Sequence, residues 1–145
     1  MNLLDATLPT LEENLALDEA LLFEAEAGRR TETLRFWEWS SPGVVLGAAC
    51  LFDADVSATN CRQEGVPIAR RASGGGTVLL DKGCLNFSLV LSCEAAPLGD
   101  IRQSYCHILG RLCRALEPLA PGSHCSGTSD LVLGDRKVSG NAQQR

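Results

Sequence analysis

The sequence has few of the residues that build metal cages, and it has no long apolar run. Only two histidines occur among 145 residues, and the seven cysteines include no CxxC pair. Structural zinc sites commonly use such pairs, so we expect reduced thiols rather than zinc ligands. No apolar run reaches the roughly 18 residues that a membrane-spanning helix needs, and the first ten residues do not resemble a signal peptide. We therefore expect a cytoplasmic protein without a membrane partner.

Basic residues are also outnumbered. The chain carries 13 lysines and arginines against 18 acidic residues, which gives a formal net charge of −5. Because nucleic-acid-binding domains neutralise phosphates with basic patches, we expect no nucleic-acid partner. The composition, with 45% hydrophobic and 21% charged residues, is ordinary for a globular protein. The length suits one domain, which we expect to cover residues 1–145.

Two long helices and one shorter helix are predicted from capping signals and apolar spacing. Thr10 is a candidate N-cap for a helix over Leu11–Ala27, and Glu13 stands at the capping-box spacing. Asp100 can cap a second helix that continues to about Leu116. A weaker helix is predicted over Asp53–Glu64, where Gly65 can end it.

Short strands separate these helices. The residues Gly134 and Asp135 form the kind of pair that closes a two-residue hairpin, because glycine readily adopts a positive φ. Helices and strands alternate irregularly, which predicts an α+β fold with a mixed, mainly antiparallel sheet flanked by helices. The predicted strands are Thr33–Trp39, Val44–Leu46, Val66–Arg70, Thr77–Leu80, Leu85–Leu91, Leu131–Leu133 and Arg136–Val138.

The first motif that indicates chemistry is a glycine-rich turn that follows two arginines. Guanidinium groups form charge-assisted hydrogen bonds with anions, and backbone N–H groups without obstructing side chains can cradle oxygens. The motif is neither a P-loop nor GxGxxG, because its spacing fits neither pattern. The same pattern also fits a simple turn beside solvated arginines. The candidate substrate-binding residues are Arg70, Arg71, Ser73, Gly74, Gly75, Gly76 and Thr77.

The second motif surrounds Lys137, just after the predicted hairpin turn. The segment from Gly134 to Gln143 consists mainly of small and polar residues. A lysine on such a rigid element can place a point charge against a phosphate or a polarised carbonyl. Taken alone, the motif fits an exposed hairpin lysine equally well.

Together, the motifs resemble those of the lipoate-protein ligase A family, within the biotin/lipoate A/B protein ligase superfamily. The resemblance begins with Asn-Leu-Ala-Leu-Asp-Glu at residues 14–19 and continues with Arg-Arg-Ala-Ser-Gly-Gly-Gly at 70–76. Asp-Lys-Gly-Cys-Leu-Asn-Phe-Ser follows at residues 81–88, Ser-Asp-Leu at 129–131, and Asp-Arg-Lys-Val-Ser-Gly-Asn-Ala-Gln at 135–143. The resemblance implies the fold of a biotin/lipoyl ligase catalytic domain. Since the family has further strands downstream, we expect residues 1–145 to be an incomplete domain.

The resemblance implies an ATP-dependent ligase that activates lipoic or octanoic acid with ATP and Mg²⁺, neither of them tightly bound. The acyl group would pass from the acyl-adenylate to a lysine of a lipoyl domain, in 2-oxoacid dehydrogenases or the glycine cleavage H protein. By resemblance, Lys137 is the catalytic lysine, and Arg71 with Ser73–Gly76 lines the acyl-adenylate pocket. Asp130 would help to place the nucleotide and Mg²⁺, and Ser139 and Gly140 would bind substrate.

Two alternatives remain open. One is an octanoyltransferase of the same superfamily, which takes its acyl group from acyl carrier protein, needs no ATP and uses a cysteine nucleophile. Cys125, twelve residues before Lys137, is the candidate nucleophile, and a lysine neighbour could lower the pKa of its thiol. The other alternative is a non-catalytic binder of an acyl acid or a lipoyl domain. It is favoured because Leu80 and Cys84 stand where many ligases have His and Asn in the nucleotide pocket.

Overall fold

The computed structural model describes residues 1–94 and 96–145 and divides the chain into two compact units. The first unit comprises residues 1–91 and 143–145, and the second comprises residues 92–142. The predicted α+β class is confirmed. The strands of the described residues form three separate three-stranded sheets rather than a single sheet.

Both parallel and antiparallel pairings occur in the first unit. One of its sheets has the order β1-β2-β6, and the other has the order β4-β3-β5. In each sheet, the central strand has one parallel and one antiparallel neighbour. The elements of this unit are β1 (Asn2–Asp5), α1 (Leu11–Glu26), β2 (Thr33–Glu38), β3 (Gly43–Leu46), α2 (Phe52–Asp55), α3 (Ala58–Glu64), β4 (Ile68–Arg70), β5 (Val78–Leu80) and β6 (Leu85–Val90).

The second unit pairs one long helix with an antiparallel sheet in the order β7-β8-β9. The sheet contains the predicted hairpin, whose turn has Gly134 at a φ of 57°. None of the described helices is long and apolar enough to cross a bilayer. The elements of this unit are α4 (Ile101–Leu116), β7 (His124–Ser126), β8 (Asp130–Leu133) and β9 (Arg136–Gly140).

The predicted capping signals are confirmed in both long helices. The Thr10 hydroxyl accepts a hydrogen bond from the Glu13 backbone N–H at 3.2 Å, and the Glu13 carboxylate accepts one from the Thr10 N–H at 3.0 Å. The Asp100 carboxylate accepts a hydrogen bond from the Gln103 N–H at 2.8 Å, at the start of α4. These side chains satisfy backbone donors that have no partner within the helix.

The predicted helix over Asp53–Glu64 is wrong, because the segment forms two short helices. Val56 lies between them in an extended conformation, with φ −136° and ψ 131°. A β-branched side chain favours such backbone angles, and this preference outweighed the weak helical pattern around it. Two short strands, β1 and β7, were not predicted. Their residues are largely exposed and show no clear alternation, so only pairing with a neighbour defines them.

A buried arginine organises the core between α1 and β2. Along β2, every second residue is buried, namely Thr33, Arg35 and Trp37. The Arg35 guanidinium donates to Asp18 Oδ1 at 2.5 Å and to Asn14 Oδ1 at 2.7 Å, and it lies over the Trp37 ring. A buried charge is tolerated only when it is paired and hydrogen-bonded, as it is here.

Asn14 extends this network to the segment that precedes α1. Its side-chain amide donates to the carbonyls of Leu8 and Thr10 at 2.9 and 2.7 Å, and its Oδ1 accepts from the Leu8 N–H. Asn14 and Asp18 are two of the three polar residues of the opening motif. Both bind Arg35, and Asn14 also holds the segment before α1. Their role in this structure is to support the fold.

Candidate functional site

Arg71 shapes the glycine-rich loop after β4. Its Nη2 donates to the carbonyls of Gly74 and Gly76 at 2.6 and 2.9 Å, and its Nε donates to Ser73 Oγ at 3.1 Å. The guanidinium predicted to bind an anion is thus engaged by carbonyls of its own loop. Arg71 fixes the path of the backbone that would surround a ligand.

The loop lies directly against the turn that follows β3. A Cβ added at Gly47 would lie only 1.9 Å from the Gly75 carbonyl oxygen, so no larger residue fits there without a shift of the backbone. The Ala48 N–H donates to the Ser73 carbonyl at 3.0 Å, and the Cys50 thiol donates to the Gly75 carbonyl at 3.4 Å. Sequence reasoning missed Gly47, although a glycine directly after a buried strand is a signal of close backbone approach.

Arg70 also stabilises the turn that follows β3. Its Nη1 donates to the carbonyls of Gly47, Ala48 and Cys50 at 2.8, 3.2 and 2.9 Å. Its Nε and Nη2 have no hydrogen-bond partner in the part of the chain that the structure describes. Of the two predicted arginines, Arg70 therefore retains donors for an anion.

The surroundings of Arg70 and of Thr77 limit what can bind near the loop. The Thr77 hydroxyl donates to the Asp55 carboxylate at 3.2 Å. A cavity of about 140 Å³ opens beside Arg70, and the carboxylates of Glu12 and Glu19 on its wall disfavour an anion inside it. The remaining residues that line this cavity are Leu15, Ala16, Ala69 and Ala72.

In the second unit, Lys137 forms an ion pair with Asp130. Lys137 Nζ lies 2.9 Å from Asp130 Oδ2, and the two side chains are 55% and 34% exposed. The pair is therefore open to solvent, and a ligand can replace either partner at low cost. The structure thus brings together the two residues predicted to contact the acyl-phosphate and the nucleotide.

A β-bulge makes this pair possible. The β8–β9 register shifts between Leu131 and Val132, so that Ser139 faces Leu131 while Lys137 faces Val132. Lys137 and Gly140 are three positions apart, and in a regular strand without a bulge such residues lie on opposite faces of the sheet. The bulge instead brings Lys137 to the face that carries Asp130 and Gly140.

Gly140 leaves the space that the lysine occupies. Gly140 stands directly opposite Asp130 across the sheet. A Cβ added at Gly140 would lie 2.9 Å from Lys137 Cε and 3.0 Å from Nζ. The Lys137 side chain therefore passes over Gly140, which has no side chain of its own, and reaches the Asp130 carboxylate.

Asn141, which the sequence analysis did not select as a site residue, secures the end of this strand pair. Its backbone N–H and its side-chain Nδ2 both donate to the Ser129 carbonyl, at 3.0 and 2.7 Å. The Ser139 hydroxyl in turn donates to Asn141 Oδ1 at 3.5 Å. These bonds hold the end of β9 next to Asp130. An asparagine just after a strand of small residues is the signal that could have identified it.

Cys125 does not have the environment of an activated nucleophile. Partial burial of its thiol, followed by the neighbouring Cys113 and Cys106 thiols, raises the pKa of Cys125. The hypothesis that a lysine neighbour lowers this pKa is wrong in direction. A reactive cysteine needs a depressed pKa, because the thiolate is the nucleophile.

The comparison with known families agrees with this arrangement of motifs. Residues 10–145 match the family described as the lipoyl protein ligase A/B catalytic domain. The chain belongs to this family. Octanoyltransferase LipM from Moorella thermoacetica is 32% identical to the chain over an alignment of 164 residues. The alignment covers 99% of the chain and 59% of LipM.

Two solved ligase structures in this family have a similar fold. The bipartite lipoate protein ligase of Thermoplasma acidophilum, studied with its E2 lipoyl domain, has a TM-score of 0.87 and 26% identity, with 99% of this chain and 56% of that one covered. Lipoate-protein ligase A bound with ATP has a TM-score of 0.85 and 27% identity, with 99% and 61% covered. The chain thus spans 56–61% of the length of these three proteins. The expected fold and family are confirmed.

Proposed function

We propose that this member of the lipoyl protein ligase A/B family is an ATP-dependent lipoate-protein ligase. It would form lipoyl-adenylate and pass the lipoyl group to a lysine of a lipoyl domain. The observation that carries the proposal is the exposed Lys137–Asp130 pair, with Nζ 2.9 Å from the carboxylate. A similar solved structure is a lipoate-protein ligase A bound with ATP, and this likeness also supports the use of ATP.

The charge on Lys137 suits both steps of such a reaction. In the first step, the carboxylate of the acid attacks the α-phosphorus of ATP and pyrophosphate leaves. In the second step, the amine of the acceptor lysine attacks the acyl carbonyl and AMP leaves. Negative charge develops on phosphoryl and then on carbonyl oxygens, and a fixed ammonium group stabilises both. Asp130 keeps the ammonium in place before substrate binds.

In the first unit, the glycine-rich loop that Arg71 holds in place would shape a pocket for the acyl acid. For Mg²⁺, Asp130 offers a single carboxylate, and the described residues contain no cluster of three or more metal-ligating side chains. This donor set fits a Mg²⁺ ion that is held mainly by the phosphates of ATP.

An octanoyltransferase is the second candidate, and the similarity to LipM favours it. In that reaction, the Cys125 thiolate would attack the thioester of an octanoyl acyl carrier protein, release the carrier's thiol and hold the octanoyl group until the acceptor lysine attacks it. The raised pKa of Cys125 opposes this step. The exposed Lys137–Asp130 pair supports the ligase, which we place first.

Isotope exchange between pyrophosphate and ATP distinguishes the candidates. A ligase should catalyse exchange only when lipoate is present, because the first step must run forward and backward. A Lys137→Ala variant should lose the exchange. Octanoyl transfer from acyl carrier protein without ATP would replace the proposal with the transferase. If the full-length protein shows neither activity but still binds lipoate or a lipoyl domain, it is a non-catalytic binder.

A further inference from the structure

Two cysteines of the second unit face each other across the contact between α4 and β7. Cys113 lies in the last turn of α4, and Cys125 is the central residue of β7. Their Sγ atoms are 4.0 Å apart. Cys125 stands directly opposite Leu131 of β8, whose side chain is fully buried. Residues opposite each other share a sheet face, so Cys125 lies on the face that packs towards α4.

We propose that Cys113 and Cys125 are a site of reversible oxidation, at which a peroxide converts the two thiols into a disulfide. The Cys113 thiolate attacks a peroxide oxygen, which forms a sulfenic acid and, with hydrogen peroxide, releases water. The Cys125 thiol then attacks this sulfur and releases another water. The two cysteines together lose two protons and two electrons, and hydrogen peroxide is reduced to two waters.

The geometry suits this pair because the two sulfur atoms already lie 4.0 Å apart. A disulfide has an S–S distance of about 2.05 Å, so the sulfurs must approach each other by roughly 2 Å. Both backbones lie in regular elements that already pack against each other. All seven cysteines are free thiols, so the pair is available in its reduced form.

The disulfide would join α4 to the sheet that carries Asp130 and Lys137. It would link two cysteines that are twelve positions apart in the chain, and this loop restricts the unfolded chain. It would also remove Cys125 as a nucleophile. Oxidation would therefore stop an octanoyltransferase that depends on Cys125, whereas adenylate formation at Lys137 does not require that thiol.

The test is to treat the reduced protein with hydrogen peroxide and to map its disulfides by non-reducing peptide mass spectrometry. We expect a peptide that links Cys113 to Cys125, and an increase of about 5 °C or more in the thermal midpoint. Dithiothreitol should reverse both changes. The proposal is independent of ligase activity, because neither measurement involves turnover.

Matched variants make the result specific. Cys113→Ser and Cys125→Ser should each remove the linked peptide and the thermal shift. Cys84→Ser, at an exposed position outside the pair, should retain both. A map in which peroxide converts Cys125 to sulfinic acid, or links it to Cys106, would overturn the proposal. The wild-type map decides the question even if a serine variant does not fold.

Discussion

The glycine loop of the first unit and the hairpin of the second both carry a predicted cation, and they use it in opposite ways. Arg71 donates to carbonyls of its own loop, so its charge maintains the path of the backbone. Lys137 contacts one partly exposed carboxylate, so its charge remains available to a ligand. A conspicuous charge in a motif therefore does not by itself indicate which residue contacts substrate. The hydrogen-bond and ion-pair partners of a charged group determine whether it is available to contact substrate.

Glycines show the same contrast. Gly47 faces the Gly75 carbonyl oxygen, which is part of the backbone and cannot move alone. Gly140 faces the flexible end of Lys137. A methyl group at the first position must displace a loop, whereas a methyl group at the second displaces only one side chain. The first change should affect stability, and the second should affect chemistry.

Lys137→Ala should have the largest effect. Losing one preorganised charge contact typically lowers a rate by about 10²–10³. Because the Lys137–Asp130 pair is exposed, the free energy of unfolding should change by less than ~1 kcal/mol. Single-turnover transfer of the acyl group to a lipoyl domain measures the first value, and chemical denaturation measures the second. If transfer continues at the wild-type rate, Lys137 is only a surface residue.

Gly47→Ala should destabilise the first unit. Forcing an extra methyl group into a closely packed contact costs about 1–3 kcal/mol, because the loop must shift. The affinity for the acyl acid, measured by calorimetry, should fall as well. Gly74→Ala is the matched control, since an added Cβ meets no atom within 4 Å there. If both variants unfold at the same denaturant concentration, the close approach of Gly47 to the loop has no energetic importance.

Gly140→Ala should leave stability within about 0.5 kcal/mol of wild type, because the lysine end can move aside. Acyl transfer should nevertheless slow by about tenfold, which corresponds to ~1.4 kcal/mol of transition-state stabilisation. The labelling rate of the Lys137 amine by an acylating reagent would report the lost contact with Asp130. If Gly140 positions Lys137, the substitution should slow acyl transfer while the free energy of unfolding stays nearly unchanged. A loss of stability as large as the loss of transition-state stabilisation would contradict this role of Gly140.

The smallest effect concerns the thiols of the second unit. Because the pKa of Cys125 is raised, fewer thiolates exist at any pH below that pKa, and alkylation of Cys125 should be slow. Cys113→Ala removes one cause of the rise but leaves the larger one, partial burial. Alkylation by iodoacetamide at pH 8 should therefore become faster, because a lower pKa gives more thiolate at this pH. Mass spectrometry of the Cys125 peptide measures the alkylation rate. A slower reaction in the variant would show that Cys113 does not raise the pKa of Cys125.

Local signals were the most reliable part of the sequence. The caps at Thr10 and Asp100 and the turn at Gly134 depend on neighbouring residues only, and all three are confirmed. The helix across Val56 was wrong because its pattern was weak and a single extended residue interrupts it. The short strand β7 was missed because it becomes recognisable only when paired with β8. The roles of the predicted site residues in catalysis stay predictions.

The sequence by itself determined the α+β class, the family resemblance and the two motifs, because order and spacing along the chain are sufficient for these. The tertiary structure decided what each charge contacts. Arg35, which no motif contained, became the buried centre of the first unit, while Asn14 and Asp18 of the opening motif became its partners. A bulge in β9 turned Lys137 towards Asp130. Contacts between residues far apart in the chain depend on register and packing, and a linear pattern of residues does not contain either.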